Sequence, residues 1–113
     1  MLRSSITIER NDMATNKMRP IHPGEVLREE FLAANGMSAH ALAMALHVPA
    51  PRINDIVRER RAVTPDTALR LARYFDTTAQ FWLNLQNSFD LKRVESEAGN
   101  RIIGEIQPLQ RAA

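Results

Sequence analysis

Apolar residues recur every three or four positions from Pro23 onward, the spacing that buries one face of an α-helix. Leu27 and Phe31, widened by Val26 and Leu32, make the first stripe, and Asn35–Gly36 ends it because glycine accepts the left-handed backbone that closes a helix. Ser38 is a good N-cap for a second helix carrying Leu42, Ala43 and Leu46. His47–Val48 breaks that helix, with His47 in a turn position where glycine would be easier. Pro49 and Pro51 belong at the start of a short third helix, where proline loses no needed hydrogen bond, and this helix buries Ile53, Ile56 and Val57. Thr64–Pro65–Asp66 starts a fourth with Ala68, Leu71, Ala72 and Phe75 at helical spacing. Asp76–Thr77–Thr78 closes it and opens a fifth, lined by Phe81, Trp82, Leu85 and Phe89. The pattern predicts an all-α protein, a compact bundle of five helices over about residues 23–91 with short loops.

Either side of the bundle the pattern fades. Residues 1–18 have no period that buries a face and read as a flexible arm, within which Met13 and Met18 offer alternative translation starts. From Lys92 to Arg101 the chain turns polar, so 93–113 reads as a C-terminal tail beyond a domain at 19–92. Its four aliphatics, Ile102, Ile103, Ile106 and Leu109, fit a partner-binding helix, an added strand or a piece folded back on the bundle equally well.

A chain of 113 residues with ordinary globular composition has room for one core. The absence of cysteine excludes a disulfide scaffold, a thiol nucleophile and any cysteine-ligated metal, and fits a reducing cytoplasm. No stretch approaches the ~20 apolar residues of a membrane span, and the first residues lack the features of a secretory signal, so no membrane partner is expected. The net charge of +2 hides a polarised distribution, with Glu25, Glu29 and Glu30 at one end of the central segment and Arg52, Arg58, Arg60 and Arg61 around the third helix.

Two short helices with a tight break between them, Ser38 to Leu46 and about Ala50 to Glu59, have the arrangement of a helix-turn-helix, whose second helix lies in the major groove of DNA. Ala43 is the small residue where such helices cross. At ~100° per residue, Ile53, Ile56 and Val57 share an inward arc; Pro51, Asp55 and Arg58 point away from it, with Arg52 and Asn54 on the flanks. Arginine can pair with guanine, asparagine with adenine and aspartate with the cytosine amino group, so Pro51, Arg52, Asn54 and Asp55 are the expected base-reading face, Arg52 and Asn54 foremost. Arg58, Arg60 and Arg61, at the helix end and in the next loop, are expected to meet phosphates. Ser38 and His40, at the start of the preceding helix, are expected to add backbone contacts. A single such unit covers little DNA, and the spread of Trp82, Leu83, Phe89 and Leu91 around the fifth helix predicts a homodimer interface there.

The run from Met37–Ser38 through Leu42–Ala43, Leu46-His47-Val48-Pro49, Arg52-Ile53-Asn54-Asp55-Ile56-Val57 and Arg60-Arg61-Ala62-Val63-Thr64-Pro65-Asp66, followed by Phe81-Trp82-Leu83-Asn84-Leu85-Gln86, resembles the HigA/VapI antitoxins. These belong to the Xre-like, lambda-repressor-like helix-turn-helix group. The opening Arg19-Pro20-Ile21-His22-Pro23-Gly24-Glu25 is similar to the usual start of that family, and the likeness covers about residues 19–92. The resemblance implies a dimeric antitoxin that binds a palindromic operator, represses its own operon and neutralises a RelE-like, messenger-RNA-cleaving HigB toxin. Two departures are His47 in place of a turn glycine and the sparse hydrogen bonding of Pro49-Ala50-Pro51, which shift base readout toward Arg52, Asn54, van der Waals contact and DNA shape. A stand-alone repressor without a toxin and a helical interaction module that does not bind DNA are the competing readings. An enzyme is disfavoured: there is no phosphate loop and no H-E-x-x-H, His22, His40 and His47 lack metal-site spacing, and no cofactor is expected.

Overall fold

The computed structural model describes residues 19–110, so the arm expected over 1–18 and the last residues of the tail lie outside the described residues. It contains five helices and no strand among those residues. Helix α1 (Pro23–Val26) runs directly into a π-helical segment (Leu27–Leu32), followed by α2 (Ala39–Leu46), α3 (Ala50–Val57), α4 (Pro65–Phe75) and α5 (Ala79–Glu105). Leu27, Leu42, Ile53, Ile56, Leu71 and Trp82 are wholly buried and, with Ala43, Leu46, Val63 and Ala68, form a core shared by the π segment and α2 to α5. The π segment shifts the hydrogen-bond register to five residues, as in Ala33 N–H donating to the Arg28 carbonyl at 3.1 Å, which brings Leu27 and Leu32 to the same buried side.

The predicted punctuation holds residue by residue. Gly36 stands at φ +58°, while His47 and Asp76 take the left-handed conformation at φ 59° and 57° to end α2 and α4. Ser38 Oγ accepts from Ala41 N–H at 3.0 Å, and Thr78 Oγ1 accepts from Phe81 N–H at 3.0 Å. Thr64 caps α4 with a longer 3.5 Å bond from Thr67 N–H. Pro51 falls at the second position of α3, where its missing N–H has no partner to lose.

The fifth helix departs from expectation: it crosses residue 92 without a break and ends at Glu105. Fading amphipathicity marks the end of burial and need not end a helix. Five of the seven residues of Lys92–Ala98 are good helix formers, ion pairs Asp90–Arg93 and Arg101–Glu105 span one turn each, and no proline intervenes before Pro108. Ile102 and Ile103 ride on this helix, and they, Ile106 and Leu109 are all exposed, so none of the four pairs as a strand or folds back on the core. No helix among the described residues is long and apolar enough to cross a membrane.

Candidate nucleic-acid interface

Helices α2 and α3 meet through Leu42, Ala43 and Leu46 on one side and Ile53 and Ile56 on the other, all buried. The turn between them is set by the left-handed His47 and by Val48 N–H donating to the Ala43 carbonyl at 3.1 Å. Packing this inner face turns the rest of α3 outward: Pro51 and Arg58 are exposed, Arg52 and Asn54 lie half-buried along its flanks, and Asp55 is half-buried beside the arginines it pairs with. Ser38 and His40 are exposed at the N-terminal end of α2.

The charged residues around α3 are tied together. Asp55 accepts from Arg60 at 3.1 Å and pairs with Arg61 at 3.7 Å, so a residue expected to face bases holds two expected to meet phosphates. Arg52 Nη1 donates to Asp66 Oδ2 at 2.7 Å, and the same oxygen accepts from Arg70 Nε at 2.9 Å. The Arg70 and Arg52 hydrogen bonds together hold the Asp66 carboxyl below its ordinary pKa. Arg70 Nη1 also donates to the Leu46 carbonyl at 2.9 Å, reaching the end of α2. Arg52, Arg61, Asp66 and Arg70 line one cleft of about 360 Å³ between α3 and α4.

A second group fixes the far end of α3. Glu59 is left-handed at φ 63°, and Arg28 donates to the Val57 carbonyl and, at 3.3 Å, to Glu59. Gly24 packs so closely on α3 that an added Cβ would lie 1.8 Å from the Ile56 carbonyl oxygen. Gly24 is held by His22, which caps α1 by accepting its N–H on Nδ1 at 2.8 Å. The imidazole is buried edge-on against Phe89, with ring centroids 4.8 Å apart, and burial lowers its pKa while Glu59 and Asp90 pull weakly the other way. Arg19 closes over the same turn with two 2.8 Å bonds to Glu25. Behind the next loop, buried Gln86 accepts from Val63 N–H at 2.8 Å.

Of the residues expected at a dimer interface, Trp82 requires correction. It is 0% exposed in the single chain, packed tilted against Phe31 and edge-to-face with Phe81, with Nε1 donating to Thr77 Oγ1 at 2.8 Å, so it has no surface left for a partner. Leu83 and Phe89 are partly buried, Phe89 between His22 and the Arg93 guanidinium, and Leu91 at 61% exposure is the open one of the four. Periodicity and motif give no sign of Arg28, Asp66, Arg70 and Gln86 as supports of the reading helix. In the sequence Asp66 registers as a helix-start residue and, like Gln86, as part of a family-like run. Among the described residues no three His, Asp or Glu gather where they could hold a metal ion.

This crossing of α2 and α3, with α3 presenting polar residues outward from a five-helix core, defines a helix-turn-helix protein. The Helix-turn-helix family profile matches residues 27–82. Virulence-associated protein I of Dichelobacter nodosus is 62% identical over 82 residues, covering 73% of this chain and 76% of that protein. Antitoxin HigA-1 of Vibrio cholerae is 35% identical over 79 residues, covering 70% and 74%. The solved structure of Pseudomonas aeruginosa antitoxin HigA with the higBA promoter superposes with a TM-score of 0.79 at 55% identity, covering 81% of this chain and 100% of that one. The chain belongs to the HigA/VapI family of Xre-like helix-turn-helix proteins, a family of regulators and antitoxins and not of enzymes.

Proposed function

We propose that this chain is an antitoxin that binds a palindromic operator as a dimer, represses its own operon and neutralises a RelE-like HigB toxin that cleaves messenger RNA. The observation that carries the DNA-binding part is the outer side of α3, where Pro51 and Arg58 are exposed, Arg52 and Asn54 lie half-buried beside them, and arginines from the following loop flank the group. The 55% identical HigA solved with the higBA promoter supports DNA binding, and the second helix of a helix-turn-helix, here α3, is the one that enters the major groove. In that placement Arg52 and Asn54 meet base edges, while Arg58, Arg60, Arg61 and the start of α2 at Ser38 and His40 lie toward phosphates. Asp55 acts mainly by holding Arg60 and Arg61. Two copies set their α3 helices about 34 Å apart, one turn of DNA, using the exposed side of α5 around Leu91 with Leu83 and Phe89 at its margin. Toxin neutralisation rests on the family alone.

Titration against a duplex of the DNA immediately upstream of the coding sequence and a scrambled duplex, at several salt concentrations, tests the reading. Arg52→Ala is expected to cost about 1–3 kcal/mol per half-site on the upstream duplex and to flatten discrimination. Arg60→Ala and Arg61→Ala are expected to weaken both duplexes alike and to reduce the slope of log affinity against log salt by about 0.9 for each phosphate no longer neutralised. Equal affinity of the unaltered chain for both duplexes would refute sequence-specific binding. Co-expression with the toxin reading frame of the same operon, if growth arrest were not relieved, would refute the antitoxin role.

A further inference from the structure

Arg52 does not project freely from α3. Its side chain is 30% exposed and leans across the cleft to α4, where Nη1 meets Asp66 Oδ2 at 2.7 Å. Asp66 is in turn fixed by Arg70, and Arg70 by the Leu46 carbonyl, so an unbroken run of hydrogen bonds links the end of α2, through α4, to the reading helix. An arginine has five N–H donors, and this contact leaves most of them for another acceptor. The carboxylate itself is 57% exposed. Exposed ion pairs contribute little to stability, and a negative charge beside a duplex weakens binding to any sequence. The dipole of α4 favours an acid in its first turn, but that accounts only for a carboxylate at this position and not for its hold on Arg52, whereas fixing a long side chain before it meets a base does.

We propose that Asp66 is a positioning residue for sequence discrimination: with Arg70 behind it, it holds the Arg52 guanidinium in the orientation that reads a base and keeps it from turning to the phosphates. This rests on the reading of Arg52 as a base contact. Asp66 trades general affinity for selectivity, which gives it a signature that a merely structural residue lacks.

The experiment uses the full chain carrying Asp66→Asn, Arg52→Ala or both, titrated with the upstream and scrambled duplexes over a salt series, with thermal unfolding of each variant as a folding control. Asp66→Asn is expected to lower the ratio of upstream to scrambled affinity by about three- to thirtyfold, part of what a well-placed arginine carries. It is also expected to tighten binding to the scrambled duplex and to steepen its salt slope by up to about 0.9 as a freed arginine takes a phosphate. In the Arg52→Ala background, Asp66→Asn should reduce discrimination no further. An unchanged ratio in Asp66→Asn alongside a reduced ratio in Arg52→Ala would overturn the proposal while leaving the base-reading role of Arg52 intact. A parallel loss on both duplexes with a lowered unfolding midpoint would overturn it in favour of a purely structural role. Should Arg52→Ala itself retain full discrimination, the reading of Arg52 fails and the role of Asp66 falls with it.

Discussion

Replacing Gly24 with alanine would place a methyl carbon 1.8 Å from the Ile56 carbonyl oxygen, 2.8 Å from its carbonyl carbon and 3.0 Å from His22 Nδ1. A carbon and a carbonyl oxygen ordinarily stay roughly 3.3 Å apart, so α1 would have to retreat by about 1.5 Å from α3. The obstacle is backbone inside a packed helix, which does not rotate away. Two effects oppose each other. Alanine is the better helix former, by about 1 kcal/mol at most in a helix interior. Overpacking costs about 1–3 kcal/mol, and the retreat also strains the His22 cap, worth about 1 kcal/mol, and the Arg28 bond to Val57. The clash wins, with a net loss of about 2–4 kcal/mol. For a domain of this size that lowers the unfolding midpoint by on the order of 10–25 °C. Thermal unfolding followed by far-ultraviolet circular dichroism reads it directly. A Gly24→Ala midpoint at or above the parent value would mean that helix propensity prevails and that α1 does not press on the reading helix.

Ile53→Ala and Leu46→Ala each remove a buried side chain where α2 and α3 cross and should cost roughly 2–5 kcal/mol, measurable by denaturant titration; parent-like midpoints would dissolve the helix pair. For His22 the sign follows from its lowered pKa: the unfolded chain takes up the proton first, so the stabilisation is full above about pH 6.5 and declines as pH falls toward the folded value. His22→Asn keeps a side-chain acceptor but does not titrate, and its unfolding midpoint should fall less than the parent's between about pH 7.5 and about pH 5.5; equal falls would exclude His22 as the cause.

What could be read from the chain was local. Ser38, Thr64, Thr78, Gly36 and His47 each act on backbone within a few residues, so their chemistry declares where helices start and stop. The inward arc of Ile53 and Ile56 likewise fixes which side of α3 faces out. Contacts between distant residues carry no period. Nothing in the spacing of Arg52 and Asp66, or of Gly24 and Ile56, announces that they touch, and the charge count places both arginines and carboxylates near α3 without pairing them. Trp82 misled because an apolar residue on a helix looks the same whether its own core or a second chain covers it. The extent of α5 misled because helical propensity outlasts amphipathicity past Leu91.

The contact of Arg28 with the end of α3 acquires a further meaning when the peptide dipoles are considered. The carbonyls of a helix's last turn carry a partial negative charge, equivalent to roughly half an elementary charge, that repels a nearby phosphate. At the end of α3 that charge is joined by the Glu59 carboxylate, and one guanidinium from the first helical element meets both, through the Val57 carbonyl and the Glu59 side chain. A residue outside the two crossing helices, itself shared with Glu29 at 3.0 Å, thereby offsets part of the negative charge at the trailing end of the reading helix, and Arg58, Arg60 and Arg61 act against a background already softened from within the fold.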